Sequence, residues 1–531
     1  MNKLIWTTAG LLSAAVAYGQ DFSGDAFRYS EQPITGTARF QGLGGNHAAI
    51  GGDASNAWGN AAGLAFYNRS EISISPSMRL LNATSNYLGQ NTGASKSYPF
   101  VGSASIIFAG NGRNYNGQRR TVWGINYSRQ VSLGNQFVAQ GTNNRSSVVD
   151  AYIENANGTS SANLNQQFDS NTNTAYSNTY SDGYTVNGLT AAAYQHYLVN
   201  PIPTDTLNYF RYDNRVPVNQ QVSFSATGAV SQWALSLASN FNEKFYIGGS
   251  VGFSHTKYNY TQVIREQYVG GKVFNGIQEN TDYSVTGNGI NLSIGAIYRI
   301  DKSLQVGANI ISPTWTTSSY QETTNQSLTI DPIGIPQVDK NTGKPVIFVP
   351  NVKTITVAPN DFEFTVSSPL RMSAGLTYFV GKSGFVTGTV EYVNYTGMRV
   401  GTSGYQSAAD NQAFKQDQTS YVKSIYQNTF NFKVGGEFRS GIFRARVGAA
   451  YMPTPYQSTF DALARNGDRN TILYSGGLGI RNERFFADIA GVFYTTKTSY
   501  TPYYLNSPAN YASALLTNKN TNITLTVGAF F

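Results

Sequence analysis

The segment FYIGGSVGF, Phe245 to Phe253, alternates large apolar residues with small or polar ones at nearly every second position. Because successive side chains of a β-strand point to opposite faces, this period of two predicts a strand with one apolar face. The apolar face carries Phe245, Ile247, Val251 and Phe253. The same alternation recurs from Leu370 to Tyr378 and from Ile523 to Phe531, among other places. The chain is therefore predicted to be mostly β.

The links between the predicted strands alternate between short and long. The strands are predicted at 71–82, 101–110, 118–129, 232–241, 245–263, 283–300, 303–311, 370–380, 384–399, 429–440, 442–452, 472–481, 484–496 and 523–531. Tight turns such as Ser440–Gly441 alternate with long links at 130–231, 312–369, 400–428 and 497–522. A soluble sandwich shows similar periodicity, but short turns on one side and long loops on the other are typical of outer-membrane barrels. The fold class is therefore predicted as all-β, a 14-stranded antiparallel transmembrane β-barrel.

The composition agrees with a barrel in the bacterial outer membrane. Charged residues make up 12% of the 531 residues and aromatic residues 13%, against a usual charged share of about 25%. Residues 1–19 read as a signal peptide, with Lys3, an apolar stretch from Leu4 to Val16, and Ala17-Tyr18-Gly19 before the cleavage site. No later run is long and apolar enough for a spanning helix. The barrel itself is assigned to residues 70–531, with long extracellular loops.

Several charged residues fall on the face opposite the apolar one. Lipid-facing charge is costly, so these side chains are predicted to point into the lumen. The candidate ligand contacts there are Lys433, Arg439, Arg444 and Arg446. Two readings stay open: the cations bind an anionic ligand head group, or they pair with Glu391, Glu437, Asp488 and the N-terminal segment because buried charges need partners.

The segment from 20 to 69 precedes the first strand and is rich in glycine and alanine. Its stretch GLGGNHAAIGGDASNAWGNAAGLAFY, Gly42 to Tyr67, has no lysine for a phosphate and no second histidine or cysteine for a metal. Small residues allow compact irregular packing inside a wide barrel, so residues 20–69 are predicted to form a hatch within it. The residues assigned to the hatch are Gly42, Gly44, Gly45, His47, Asp53, Trp58, Asn60, Ala62 and Gly63.

Several motifs carry a resemblance to a known family. They are TARFQGLGG (37–45), GDASNA (52–57), NAAGLA (60–65), VGANIISP (306–313), PLRMSAG (369–375) and ARVGAAY (445–451). These motifs resemble the FadL/TodX (OmpP1) family of outer-membrane transporters. The resemblance implies a fourteen-stranded barrel with an N-terminal hatch. It also implies capture of hydrophobic molecules, above all long-chain fatty acids, at the extracellular loops, followed by hatch-gated lateral release.

Two features separate this chain from the family pattern or leave its role open. The Asn-Pro-Ala motif of the family hatch is Asn60-Ala61-Ala62 here, without the rigid proline. A Bacteroidetes branch with a similar barrel and hatch serves in protein secretion. The alternative function is therefore a non-transport barrel, either a secretion-machinery subunit or an adhesin.

Other functional classes have weaker support in the sequence. Gly248–Gly252 matches the G-x-S-x-G motif of hydrolases, but Ser250 and His255 would lie on opposite faces of one strand, so no enzyme activity is predicted. No cofactor, metal site or nucleic-acid partner is predicted. The expected partners are a hydrophobic ligand, outer-membrane lipid and, through the C-terminal Phe531, the barrel-assembly machinery.

Overall fold

The computed structural model describes residues 22–31, 34–110, 119–180, 184–214, 216–339, 342–458 and 469–531. The predicted signal peptide, residues 1–19, lies outside these ranges. Within them, no helix is long and apolar enough to cross a membrane.

Fourteen antiparallel strands follow one another around a closed sheet. They are β1 (Glu71–Tyr87), β2 (Gln90–Ala109), β3 (Arg119–Ser132), β4 (Val218–Phe241), β5 (Phe245–Tyr268), β6 (Phe274–Arg299), β7 (Leu304–Ile311), β8 (Leu370–Val380), β9 (Gly384–Asn394), β10 (Thr429–Ser440), β11 (Phe443–Met452), β12 (Thr471–Arg481), β13 (Phe485–Tyr500) and β14 (Ala514–Phe530). The sheet closes because β1 pairs with β14, from Glu71 opposite Phe530 to Asn86 opposite Leu515. Backbone hydrogen bonds between Ser70 and Phe531 extend this closure by one residue pair. The predicted number of strands and the predicted fold class are confirmed.

The two faces of the barrel differ as the alternation predicts. Outward-facing residues such as Trp233, Leu235 and Leu237 are exposed and apolar, whereas their neighbours Ala234, Ser236 and Ala238 are buried. Tyr298, Tyr378, Tyr392 and Tyr451 lie on the outward face. Because an apolar outward belt with aromatic residues near its edges is stable only in lipid, the barrel spans a membrane.

The strands are longer than predicted at the extracellular end. Residues 83–100, left between two predicted strands, continue β1 and β2 and leave only Leu88 and Gly89 as the link. Residues 218–231, predicted as part of a long loop, belong to β4. Above the membrane both faces meet polar surroundings, so outward positions such as Asn82, Thr84 and Asn86 carry no apolar stripe.

Four further strand segments lengthen the barrel wall at its extracellular end. Three lie within the predicted loops 130–231 and 312–369, and the fourth lies at the start of the predicted loop 400–428. Asn135–Asn143 pairs with β4, Trp315–Pro332 with β6, Thr354–Ser367 with Trp315–Pro332, and Arg399–Gly401 with Thr354–Ser367. The tall strand walls therefore come partly from sequence that was predicted to be loop.

The extracellular end carries a folded cap formed mainly by residues 144–180 and 184–214. Its helices are α3 (Val148–Ala156), α4 (Ser161–Gln166) and α5 (Gly188–Gln195), and its short strands are Phe168–Asp169, Thr174–Ala175, Asn178–Thr179, Thr185–Val186, Asn200–Ile202 and Asp205–Phe210. Tyr152, Leu164 and Leu189 share one buried cluster with Ile277 and Leu328 of the wall. A hairpin of Ile335–Val338 and Pro345–Phe348 and a helix at Ala408–Ile425 complete this end. The loop 130–231 is thus largely ordered structure.

The N-terminal residues form short elements before β1. The four N-terminal elements are α1 (Phe22–Arg28), α2 (Ala38–Gly42) and two 3-10 helices, at Ala54–Ala57 and Ala61–Phe66. A further 3-10 helix, at Tyr395–Gly397, follows β9 and is not part of this group. Three of these four elements have an N-cap residue whose side chain accepts a backbone hydrogen bond. Thr37 caps α2, Asp53 caps the first 3-10 helix and Asn60 caps the second. The capping explains how a glycine-rich sequence holds a defined conformation.

Candidate functional site in the barrel lumen

Residues 34–67, which we call the luminal segment, touch the inward faces of strands on both sides of the barrel. The Ala38 amide donates to Thr526 Oγ1 of β14 at 2.7 Å, and Ser475 Oγ of β12 accepts from the Gly44 amide at 3.1 Å. On the other side, Asn60 Nδ2 donates to the Ala296 and Ala308 carbonyls, both at 3.3 Å. The segment is therefore bonded across the lumen rather than to one wall.

Glycines of the wall allow the backbone of the luminal segment to approach closely. A Cβ on Gly435 would lie 2.4 Å from the Leu43 carbonyl oxygen, and one on Gly448 would lie 2.2 Å from the Gly44 nitrogen. A Cβ on Gly307 would meet the Ala48 carbonyl oxygen at 2.0 Å. At these inward positions any side chain would collide with the backbone of the luminal segment. Glycine therefore occurs here within otherwise regular strands.

The sequence-predicted hatch residues are all brought into this segment. Gly44 has φ +68° and faces the Ala449 backbone, while Gly45 at φ +73° faces Ile34. His47 is buried beside Gly59, and burial lowers its pKa to about 4. The ring of Trp58 contacts Gly36.

The remaining predicted residues hold turns or fill the interface. Gly42 lies against the Arg446 side chain, Ala62 is fully buried, and Asn56 packs on Gly63. Asp53 accepts the Thr37 hydroxyl at 2.8 Å. Asn60 caps the next turn, and its side-chain oxygen accepts from the Ala62 amide at 3.2 Å.

A buried ion network joins the luminal segment to the wall. Glu437 of β10 accepts from Arg39 Nε at 3.2 Å, and from Arg439 Nε and Arg446 Nε, each at 2.7 Å. Arg446 also donates to Asp488 of β13 at 2.6 Å. Arg39, Glu437 and Arg446 are each less than a tenth exposed, so each charge needs these partners.

The inward cations that were predicted as ligand contacts have partners within the barrel. Lys433 lies 3.2 Å from Glu391, and Arg439 and Arg446 bind Glu437, so three of the four contact carboxylates of the wall. Arg444 donates instead to the Gly441 and Phe443 carbonyls at the periplasmic turn. Mutual pairing, rather than a row of open cations, describes this region.

Above the luminal segment, α1 fills an aromatic region between the walls. Phe22 packs against Phe362, Phe364 and Phe414, with ring centroids 5.1 to 5.4 Å apart. Phe27 stacks on Tyr426 at 5.2 Å. Sequence reasoning missed these residues because FSGDAFR is too short for a reliable period, although two phenylalanines in seven positions are a usable signal.

The ladder between β2 and β3 is incomplete. The two strands pair only from Ser103 opposite Ser128 to Ala109 opposite Val122. Beyond that point β2 pairs with β1 alone, while β3 and the segment Asn135–Asn143 pair with β4. We call this unpaired stretch the wall break.

Side chains cover the wall break. Arg129 places its guanidinium 4.7 Å from the centre of the Phe100 ring. Arg79 donates to the carbonyls of Ser132 and Gly134 at 3.0 and 2.9 Å, replacing hydrogen bonds that a continuous ladder would supply. Pro99 lies opposite Met78, an outward residue that is 43% exposed, so the lower end of the break reaches the apolar belt.

The luminal segment begins at the wall break. Thr35 Oγ1 donates to the Arg129 carbonyl at 2.5 Å. The carbonyl oxygen of Gly36 would lie 3.4 Å from a Cβ on Gly102 of β2. The N-terminal end of the segment therefore touches both edges of the break.

Together, the closed ring of fourteen strands, the outward apolar belt and the contacts across the lumen define a bacterial outer-membrane barrel with an occupied interior. No family model matches the sequence, and no curated protein matches it. Solved structures do match its fold. The FadL homologue of Pseudomonas aeruginosa is 12% identical, with a TM-score of 0.52 over 94% of this chain and 99% of that chain.

Two TodX structures show the same likeness. The toluene transporter TodX of Pseudomonas putida is 10% identical with a TM-score of 0.50, covering 94% of this chain and 99% of that chain. The deltaS2 mutant of TodX, a monoaromatic hydrocarbon channel, is 11% identical with a TM-score of 0.52, covering 93% and 99%. At these identities the likeness is one of fold.

The G-x-S-x-G match lies inside β5 rather than on a turn before a helix. Ser250 is buried on the inward face, and His255 lies on the outward face with its Nδ1 2.8 Å from Asn288 Oδ1. The two side chains are thus on opposite faces of the strand, as the alternation predicts.

Proposed function

We propose that the protein carries hydrophobic small molecules, above all long-chain fatty acids, across the outer membrane. Residues 20–69 act as its hatch. The ligand enters at the extracellular end, passes the aromatic region around α1 and leaves sideways through the wall break when the hatch shifts. The named TodX structures, a toluene transporter and a hydrocarbon channel with this fold, support the ligand class.

The observation that carries this proposal is the contact between the luminal segment and the wall break. A barrel needs every backbone group paired in lipid, so an unpaired stretch reaching the apolar belt is a costly feature that calls for a functional reason. Thr35 and Gly36 touch its two edges, Arg129 and Gly102. Movement of the segment would therefore change the break directly.

A cross-link across the break tests lateral release. The chain has no cysteine, so Phe100→Cys with Arg129→Cys can be joined by a bismaleimide without background reaction. The matched control joins Ile106→Cys to Ile125→Cys, which are already ladder partners on the outward face. Cells would be given labelled oleate, and in parallel labelled toluene.

We expect the cross-link over the break to abolish protein-dependent uptake and the control cross-link to leave it unchanged. Protein-dependent uptake of toluene but not of oleate would support the proposal of transport and would show that long-chain fatty acids are not the ligand. Uptake that is unaffected by the cross-linked break would refute lateral release there. Equal uptake with and without the protein would refute transport.

A second function, binding of a protein partner in secretion or adhesion, is favoured by the hairpin at the extracellular end. Val338 and Ile347 of this hairpin are 64% and 68% exposed, which is unusual for apolar residues facing water. Replacing residues 335–348 by a short polar turn tests this role. Loss of secreted or surface-bound protein with intact oleate uptake would favour the second function.

A further inference from the structure

The outward surface of the barrel is indented over β6 to β12. One cavity of about 1220 Å³ is lined by outward residues of all seven strands, including Ala308 of β7, Ala374 of β8 and Ile472 of β12. The pocket is shallow and open toward the surrounding membrane. We call this region the outer groove.

The strands behind the outer groove contact the luminal segment on their inward side. Gly307, Gly435 and Gly448 lie on these strands and contact the segment through backbone atoms alone. On the outward side, Ala296, Ala308 and Ala374 are register neighbours on β6, β7 and β8 and form a low floor. Tyr298 and Tyr378 stand at the periplasmic end. The groove is therefore part of the built wall.

The position of the outer groove decides what fills it. Its outward side chains, such as Leu376 and Val434, are about half exposed and belong to the apolar belt. At that depth in a bilayer the surrounding molecules are lipids, so their acyl chains fill the groove.

Two cations stand at the periplasmic end of the groove. Lys302 and Lys382 occupy the turns after β6 and β8, and both are exposed. The turns are neighbours, since the Phe379 amide donates to the Ser303 carbonyl at 2.7 Å. Within the described ranges, neither lysine forms an ion pair. The adjacent Asp301 accepts from the Ser303 and Leu304 amides.

We propose that the outer groove binds an anionic phospholipid of the periplasmic leaflet. Its acyl chains lie along the alanine floor, and its headgroup phosphate lies between Lys302 and Lys382. A lipid with net negative charge is favoured over a zwitterionic one because the two turns carry two lysines and a single carboxylate, that of Asp301, which leaves them with a net positive charge. The site lies outside the lumen and does not depend on transport.

Lipid retained by the purified full-length barrel measures this site. The protein would be placed in nanodiscs containing equal amounts of phosphatidylglycerol and phosphatidylethanolamine with matched chains, and the lipids retained on release would be counted by native mass spectrometry. Lys302→Gln with Lys382→Gln removes the charges, and Ala374→Trp fills the floor. The controls are Lys244→Gln, at the turn after β4, and Ile523→Trp, an outward residue of β14 outside the groove.

We expect the native barrel to retain phosphatidylglycerol preferentially. Each lysine near the surface changes anionic-lipid binding about fivefold, so the double variant loses a preference of roughly thirtyfold while still retaining lipid. Ala374→Trp lowers retention of both lipids, and the two controls match the native barrel. Equal retention of the two lipids by the native barrel, or a double variant that keeps its preference, would overturn the proposal.

Discussion

The bond between Arg39 and Glu437 gives the sharpest test of the hatch. Replacing Arg39 by methionine keeps the length of the side chain and removes its charge. Besides Glu437, the guanidinium donates to the carbonyls of Gly51 and Gly52 at 3.2 and 2.9 Å. The substitution therefore removes bonds within the luminal segment and its ion pair to the wall.

The expected loss of docking free energy in Arg39→Met depends on which carboxylates keep a partner. Glu437 keeps Arg439 and Arg446, and Asp53 keeps Thr37, so no buried carboxylate is left alone. Losing charge-assisted hydrogen bonds without creating an unpaired charge costs about 3 kcal/mol, below the upper range for a broken buried pair. This shifts the equilibrium between docked and undocked hatch by about a hundredfold.

Hydrogen exchange of residues 38–52 measures the docked state, and conductance in a planar bilayer measures the opened lumen. We expect exchange in this stretch to accelerate about a hundredfold in Arg39→Met, with more frequent open events. Arg439→Met is the matched control, because Arg439 binds the same carboxylate from the wall but not the luminal segment. Equal exchange in native protein and Arg39→Met, or equal effects of the two variants, would refute the reasoning.

Three further predictions concern single positions. Gly44→Ala and Gly52→Ala share the same positive-φ cost of about 1 kcal/mol, but only at Gly44 does the new Cβ meet the Ala449 backbone, at 3.0 Å. Hydrogen exchange of the luminal segment should therefore increase more in Gly44→Ala; equal increases would contradict the contact. Because the pKa of His47 is about 4 in the fold and about 6.5 when unfolded, docking is fully stable above pH 6.5 and weakens by up to about 3 kcal/mol as pH falls toward 4. Conductance should rise on acidification, and His47→Gln should flatten that rise; an unchanged profile in the variant would assign the pH dependence to other groups. Phe531→Ala should lower the amount of inserted barrel, measured by heat-modifiable gel migration, without changing the melting temperature of the inserted fraction, since the side chain is 66% exposed.

The membrane-spanning part of the fold could be predicted because lipid imposes the alternation. At Trp233 and Leu235 the outward side chain must be apolar, so the pattern identifies strand, face and register together. The same alternation predicts that the side chains of Arg446 and Glu437 point into the lumen, where they form an ion pair. Above the membrane that constraint is absent, and the strands there were predicted as loops.

The wall break and the aromatic region could not be predicted from the alternation. β2 shifts register at Gly102 and β3 at Gln130, but neither shift can be read from the local sequence, and neither alone shows that the ladder between the two strands has ended. Arg79 reads as one more inward cation until its bonds to the Ser132 and Gly134 carbonyls are known. These features depend on contacts between distant parts of the chain, which a local pattern does not record.

In the proposed transport, the height of the strands determines from which phase a ligand enters the barrel. β6 contains 26 residues, or about 85 Å along the strand, of which an inclination near 40° leaves about 65 Å of height and the lipid belt accounts for about 25 Å. The cap therefore stands roughly 40 Å beyond the apolar belt. A molecule already dissolved in the lipid would not reach the extracellular end, so the proposed entrance would take up solutes or micelles from the surrounding water.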